Sequence, residues 1–533
     1  MNAILMKNSF RLFVQKNSSS ALVVTLAESD YKFYEQVFNE VNYLFVNKIE
    51  KPNDPDIVSH DIKSINDQDL TVDTVIIDVS LSFFCLLKLF PVFKKIVNSN
   101  KNVSFLFLGC SSLGYNNFFK KNIIRKGSAL FNVLFINMLG LNVSGHYYSR
   151  YGIDFRKDGF VDILNKDGSG ATTNVSETNR LKLKEMILTN RNFMFIWPYY
   201  LLIGNNNNQQ CVLYDIIKGP HSSTVFNVNA NQITIDRYIM GNADVDLVMF
   251  SVNSTMHNKY VARIPNDERG LTLCEKNHSL LTKYSTSEMG RYMPKPYIVY
   301  HYENKTIFVE ERLSGYELIS YRSQVEYISK QAIDLIDSFQ LSHKKNITNK
   351  DLLRKISSIL DFSDIGISSE IQSGLEHLNE ILINSLQNKD QFTIPVHGDY
   401  KIGNLLLDKQ QNISGVIDWD HFDEDGLLLY DHLTLVLYLL KSIKPEINAF
   451  DCYYNYILPW KVDAFIDDLV RDTMLSYNIT EKEFLSYRIL YWLYNIKSRN
   501  LFKYTVDSEK HPVLSLESQL QLIFDESKIL YNK

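Results

Sequence analysis

Four side chains within about 22 residues carry the most specific chemistry in this sequence. His397, Asp399 and Asn404 stand in the run VHGDYKIGN, Val396 to Asn404, and Asp418 follows in GVIDWD, Gly415 to Asp420. Five positions separate Asp399 from Asn404, and nineteen separate Asp399 from Asp418. The intervening LLLDKQQNISGVI reads as strand, polar turn, strand, and such a hairpin returns Asp418 to the side of Asn404. A loop carboxylate can accept the proton of an attacking hydroxyl. An amide oxygen and a second carboxylate form a hard-oxygen pair suited to Mg²⁺, which keeps several of its waters. Together these are the requirements of phosphoryl transfer from a nucleoside triphosphate. Asp399 is the expected base, Asn404 and Asp418 the expected metal ligands, and His397 a residue that orients the loop.

On these residues the sequence resembles the aminoglycoside phosphotransferase and choline kinase superfamily, whose loop reads HGDxxxxN. The resemblance extends over roughly the last 300 residues. It implies a bilobal, protein-kinase-like α+β phosphotransferase domain that uses ATP and Mg²⁺. In such a domain Gly241, in MGNADVD, lies in a phosphate-facing turn. KYVARIP places Arg263 where most kinases carry lysine, with Lys259 on the same strand face as the competing cation; arginine grips phosphate oxygens with a planar fork. Glu275, in TLCEKNHSLL, takes the place of the helix residue that pairs with this cation. FVEERLSGYEL resembles the inter-lobe hinge, whose backbone around Glu311 to Leu313 would meet adenine. Asp431, in LLYDHLTL, matches a loop-stabilising position, or is a helix N-cap. His301 and His432 show no metal-ligand spacing and read as structural.

The elements that must position these residues follow from pattern. ITIDRYIM, VDLVMFSV, KYVARIP, PYIVYHYE and TIFVEERL are strand-like, with a helical stretch around LCEKNHSLLTKY, and the chain turns mostly helical after Gly315. Upstream, ALVVTLA, YLFVNKI, DTVIIDVS and NVSFLFLGC look like strands buried on both faces, alternating with helical runs such as SDYKFYEQVFNEV and SFFCLLKLFPVFKKIV. The expected fold is therefore multidomain: an N-terminal α/β doubly wound domain followed by the kinase-like domain. The divisions fall at 1–205 for the α/β domain, 206–231 for a linker or hairpin around GNNNNQQ, 232–313 for the small β-rich lobe and 314–533 for the helical lobe. The first half resembles nucleotide- and cofactor-binding α/β folds, methyltransferase-like ones included, in architecture only. ESDYKF follows the first strand without the glycines that let backbone approach a phosphate, and Glu28 and Asp30 read best as first-turn dipole partners.

Composition bounds the rest. The 533 residues carry 56 basic and 61 acidic side chains, a formal net charge of -5, which argues against a nucleic-acid binder. Five scattered cysteines form no CxxC pair, which fits a reducing compartment. The most apolar stretch, Leu81 to Val97, carries three lysines and reads as a buried helix, so a cytoplasmic protein without a membrane span is expected. The partner expected is a small-molecule acceptor, cationic or a sugar. The acidic run DWDHFDED would favour a cation if it lined the cleft, though solvated carboxylates are the commoner case. The aromatic residues Tyr453, Tyr454, Tyr456, Trp460, Tyr491, Trp492 and Tyr494 could cage a quaternary ammonium, though helically spaced aromatics usually form core. The competing readings are a regulatory or scaffolding pseudo-enzyme and a bifunctional biosynthetic enzyme.

Overall fold

The apolar runs of the N-terminal half form strands, as their β-branched and aromatic composition requires. The structure is a computed structural model that describes residues 19–25, 38–45, 59–60, 72–78, 83–100, 102–110, 135–149, 163–165, 199–205, 212–239, 245–253, 258–317, 322–362, 367–387, 392–444, 447–499 and 515–531. Strands β1 (Ser20–Thr25), β2 (Glu40–Phe45), β3 (Ser59–His60), β4 (Thr74–Asp78) and β5 (Ser104–Cys110) pair in parallel in the order 3-2-1-4-5. Helix α1 (Phe83–Ser99) connects β4 to β5. Alternation along β1 places Leu22 and Val24 in a core with Leu89 and Phe93 of α1. Ala21 and Val23 face a second core on the opposite side. Burial on both faces explains why these strands read as continuous apolar runs.

Beyond β5 the sheet becomes antiparallel. β6 (Asn142–Ser149), β7 (Ile163–Asn165) and β8 (Tyr199–Asn205) follow, with β8 inserted between β5 and β6. Two short helices then stand where a linker or hairpin was expected, α2 (Val212–Lys218) and α3 (Pro220–Phe226). Leu213, Ile216 and Ile217 of α2 form a buried stripe at helical spacing, a period outweighed in the sequence by the asparagine-rich neighbour. Proline at the first position of α3 and left-handed Asn227 at its end supply start and stop. Most of the GNNNNQQ tip and the helical run after β1 lie outside the described residues.

The strands β9 (Ile233–Ile239), β10 (Val245–Val252) and β11 (Lys259–Pro265), helix α4 (Glu268–Tyr284), and strands β12 (Pro296–Tyr302) and β13 (Lys305–Glu311) build an antiparallel layer in the order 9-10-11-13-12. β9 also pairs with β7, joining Ile163 to Tyr238 and Leu164 to Arg237, so among the described residues one sheet of 13 strands runs from β3 to β12. One apolar cluster spans both parts, from Ala21, Ile76 and Leu106 through Ile216 and Ile217 to Val248, Ile307 and Val309. The chain accordingly divides into two compact units, Met1–Thr282 with Lys295–Arg312, and Lys283–Pro294 with Leu313–Lys533.

The second unit contains β14 (Tyr316–Glu317), α5 (Arg322–Ser342), β15 (Lys345–Asn346), α6 (Asn349–Leu360), α7 (Ser369–Leu386) and β16 (Phe392–Val396). After it come β17 (Leu405–Leu407), β18 (Ile413–Val416), β19 (Asp423–Gly426), α8 (Tyr430–Ile443), α9 (Ala464–Ser476), α10 (Glu481–Arg499) and α11 (Leu516–Tyr531). Thr348 and Asp351 cap α6 reciprocally, and Ser368 caps α7. Leu382, Leu433, Val470 and Leu490 belong to the apolar core. Tyr453, Tyr491 and Trp492 are buried there too, with the Tyr453 and Trp492 rings stacked at 4.7 Å. Burial of these three rings as packing removes them from any exposed cation cage. Among the described residues, no helix is long and apolar enough to cross a membrane.

Candidate phosphoryl-transfer site

The loop after β16 is held from beneath by one carboxylate. Asp431, in the first turn of α8, accepts the His397 amide at 2.8 Å and the Gly398 amide at 2.9 Å. Gln340 of α5 donates to the same carboxylate at 3.0 Å. Asp431 is fully buried, and three donors offset the cost of taking its charge out of water. The Leu429 backbone, not Asp431, occupies the helix N-cap position. Tyr400 ties the loop to α5 by donating to the Ala332 carbonyl at 2.9 Å.

Gly398 turns the chain with φ +82, and a Cβ there would overlap the carbonyl oxygen of His421. Both the left-handed backbone and the close approach demand glycine. Gly398→Ala is expected to cost about 2–5 kcal/mol, from backbone strain plus overpacking. Urea denaturation of the variant measures this, and a loss below ~1 kcal/mol would mean that the loop accommodates a side chain.

His397 acts as a strut. Its Nδ1 accepts the Asp399 amide at 3.2 Å, which puts the ring proton on Nε2, and Nε2 donates to the Ile417 carbonyl at 3.0 Å. Burial holds its pKa down at about 4, against an ordinary 6.5. The unfolded chain therefore binds this proton at higher pH than the folded one, and stability falls as pH drops from 6.5 to about 4. Full development of that difference is worth ~3 kcal/mol. Histidine ring resonances should show one site that stays neutral down to about pH 4, and titration of every ring near 6.5 would refute the assignment.

Asp399 is 4% exposed. Asn404, in a short 3-10 turn, donates from Nδ2 to the Asp399 carbonyl at 2.9 Å and to its Oδ2 at 3.2 Å. The expected hairpin is present: Leu405 pairs with Val416, and the Ile417 amide donates to the Asn404 carbonyl at 2.9 Å. It brings Asp418 one backbone position from that contact, exposed, with a left-handed φ of 68. His397, Asp399, Asn404 and Asp418 are thus gathered in the second unit. Lys401 was not among the residues expected from sequence, although it stands only two positions after Asp399. Its Nζ is 2.5 Å from Asp399 Oδ2 and lies over the Tyr438 ring at 5.1 Å.

The first unit holds the strand cation in a different setting from the one expected. Arg263 is 5% exposed and pairs through Nε with Glu310 Oε2 of β13 at 3.4 Å. With its amide oxygen turned toward the guanidinium, Asn277 of α4 accepts from Nε at 2.9 Å and Nη2 at 3.3 Å. Glu275, the expected partner, is exposed. Helix phase is the reason: Cys274, Asn277 and Leu281 are buried at spacings of three and four, and Glu275 lies about 100° off that stripe. In the hinge segment, Glu311 donates its amide to the Lys295 carbonyl and Arg312 to that of Lys259, both at 2.8 Å. Those two amides are committed to the sheet, and Leu313 begins the second unit. Gly241 lies outside the described residues.

The acidic run after Asp418 is matched by lysines. Glu424 pairs with Lys283 at 2.6 Å and Lys345 at 3.3 Å, Asp425 with Lys345 at 3.0 Å, and Asp423 with Lys355 at 3.5 Å. The hydrogen bond from Lys283 holds the Glu424 carboxyl below the usual range. Tyr494 donates its hydroxyl to Asp423 at 3.0 Å. Three of the carboxylates that could have attracted a cation are in this way neutralised locally.

The helical unit carrying the HGDxxxxN loop with its returning aspartate resembles the kinase-like phosphotransferase fold. Residues 345–439 match the phosphotransferase enzyme family, which supports the resemblance of the C-terminal region to the aminoglycoside phosphotransferase and choline kinase-like superfamily. A comparison with curated proteins gave no match. Among solved structures, the chain is similar to a thermostable mutant of aminoglycoside phosphotransferase APH(4)-Ia in ternary complex with ADP and hygromycin B. The identity is 15%, over 54% of this chain and 92% of that one, with a TM-score of 0.37. It is also similar to ADP-bound APH(2'')-Ib, at 13% identity over 57% and 95% of the two chains, with a TM-score of 0.35. A third is APH(3'')-Id from Streptomyces rimosus in complex with ADP and streptomycin, at 12% identity over 48% and 94%, with a TM-score of 0.31.

Proposed function

We propose that this protein transfers the γ-phosphoryl group of ATP to a hydroxyl of a small molecule. The acceptor class is an aminoglycoside, a choline-like amino alcohol or a sugar. The observation that carries the reading is the Asp399–Asn404 pair, in a buried loop clamped by Asp431, with Asp418 returned beside it by the β17–β18 hairpin. Asp399 accepts the acceptor's proton as the oxygen attacks. Asn404 meets Asp399 through its side-chain Nδ2, and its Oδ1 is the atom suited to a hard cation. That oxygen and the exposed Asp418 carboxylate fit Mg²⁺ with waters completing the shell. Bound Mg·ATP supplies the phosphoryl donor and neutralises charge on the departing phosphate. Arg263, steadied by Glu310 and Asn277, is the proposed phosphate cation of the first unit, and Lys401 a second cation at the base. The lysine pairing of Glu424 and Asp425 favours a neutral, hydroxyl-rich acceptor over a strongly cationic one.

The parallel order 3-2-1-4-5 supports a Rossmann-like reading of residues 1–205, since it reproduces five of the six strands of the doubly wound order. The divisions at 205, 231 and 313 belong to this proposal. Incubating the full chain with γ-labelled ATP, Mg²⁺ and a metabolite extract tests the function. Label is expected in a small molecule, dependent on Mg²⁺. Absence of labelled product from aminoglycoside, amino alcohol and sugar pools alike would overturn the reading.

A further inference from the structure

The second unit carries a concavity that shares no residue with the phosphoryl-transfer set. It encloses about 310 Å³ between the turn Met289–Tyr292, one face of α5 and the start of β18, at the small end of the range for ligand pockets. On α5 the wall residues are Gln331, Asp334, Leu335, Ser338 and Phe339, a spacing of three and four that keeps them on one face. The floor is apolar: Met289 is 1%, Phe339 3% and Ile413 8% exposed.

The rim carries both signs of charge. Glu288, Asp334 and Arg291 line the cavity, and all three are exposed. Among the described residues they form no ion pair with one another, so each charge is presented to an incoming molecule. The hairpin side of the wall is held in shape without them. Gln331 accepts the Ile413 amide at 3.3 Å and donates to the Gln411 carbonyl at 3.4 Å, fastening the hairpin to α5. Ser338 donates to Glu288 at 3.3 Å across the opening. Arg291 lies over the Tyr292 ring at 4.7 Å. A guanidinium selects a carboxylate or phosphate, two carboxylates select an ammonium, and an apolar floor selects a hydrocarbon body.

The floor also touches the catalytic loop's own packing. Phe339 meets Trp419 edge to face at 6.2 Å, and Trp419 meets His397 at 4.4 Å. Trp419 directly follows Asp418, and Ile413 opens the strand that leads to it.

We propose that this cavity is a second ligand site, which binds a small zwitterion with an apolar body, of the free amino acid class, and reports its occupancy to Trp419 through Phe339. A closely packed core moves between discrete arrangements and does not deform continuously, so a displaced Phe339 ring is passed on to the indole. The coupling to be measured is local and does not depend on the acceptor's identity.

The test uses the full chain and the twenty free amino acids as probes, by calorimetry and tryptophan emission. At least one with an apolar side chain is expected to bind below about 1 mM. The corresponding amine, lacking the carboxylate, and the N-acetylated acid, lacking the ammonium, should each bind at least tenfold more weakly. Arg291→Ala and Asp334→Asn, both on the exposed rim, should weaken binding tenfold or more while leaving the urea midpoint in place. Ligand should change the tryptophan emission of the wild type, and Trp419→Phe should remove that change while still binding. No binding by any of the twenty, or equal binding by the rim variants, overturns the site. Binding with an unchanged emission overturns the coupling. Neither result bears on ATP turnover, so failure here is separate from failure of the phosphotransferase reading.

Discussion

Asp399→Asn is expected to lower phosphoryl transfer by a factor on the order of 10²–10⁴, the contribution of a positioned general base. The substitution conserves volume and leaves an oxygen that can still accept from Asn404, now at 3.2 Å from Asp399 Oδ2. It removes the charge that Lys401 faces at 2.5 Å and the basic oxygen that takes the acceptor's proton. The loss should fall on kcat, with the affinity for Mg·ATP changed by no more than about twofold, because the amide of Asn404 and the carboxylate of Asp418 are untouched. A variant that keeps wild-type turnover would eliminate Asp399 as the base. One that loses turnover and nucleotide affinity together would assign Asp399 to binding. Lys401→Ala is the companion measurement: a fall in kcat places this ammonium on the reacting group, and an unchanged kcat makes it a surface partner of the carboxylate.

The second large effect concerns stability. Asp431→Ala removes the acceptor of three hydrogen bonds at 2.8, 2.9 and 3.0 Å and leaves the His397 and Gly398 amides and the Gln340 side chain without it. Hydrogen bonds to a charged group contribute about 1.5–3 kcal/mol each, and buried donors left unmade add a desolvation cost. Part of this is offset because the buried charge itself disappears. A net loss of ~3–5 kcal/mol is expected, together with loss of turnover as the loop unclamps. Asp431→Asn should fall between, since an amide can accept through one oxygen only. Urea denaturation with a common m-value decides the matter. A loss below about 1 kcal/mol would show that Tyr400 and the β17–β18 hairpin hold the loop unaided.

How far the amino-acid order alone reached depends on the range of each interaction. The residues of the proposed base and metal pair lie within about 22 positions of one another, and their geometry is made by a hairpin whose strands and polar turn are local. The demand for glycine at position 398, with φ +82 under the His421 carbonyl, is visible only in the folded loop. The alternating strands of the first half were legible because burial on two faces writes an uninterrupted apolar run.

Other features were set by contacts across long stretches of chain. Gln340 supports Asp431 from 91 positions away, with no local signal to announce it. The partner of Arg263 depended on helix phase: a shift of two residues, from Glu275 to Asn277, turns a side chain by about 200°. The acidic run looked like an attractive field until Lys283, Lys345 and Lys355, from three separate elements, were folded against it.

The largest such decision is the joining of β7 to β9. Strand propensity and apolar alternation determined that two sheets' worth of strands would form, since both are properties of a few adjacent residues. Which edge each strand would meet is a property of no short segment. In the folded chain Ile216 and Ile217 of α2 belong to one apolar cluster common to both halves, and β7 pairs with β9. Area removed from water is what drives such a choice, and it accrues only when distant surfaces come together.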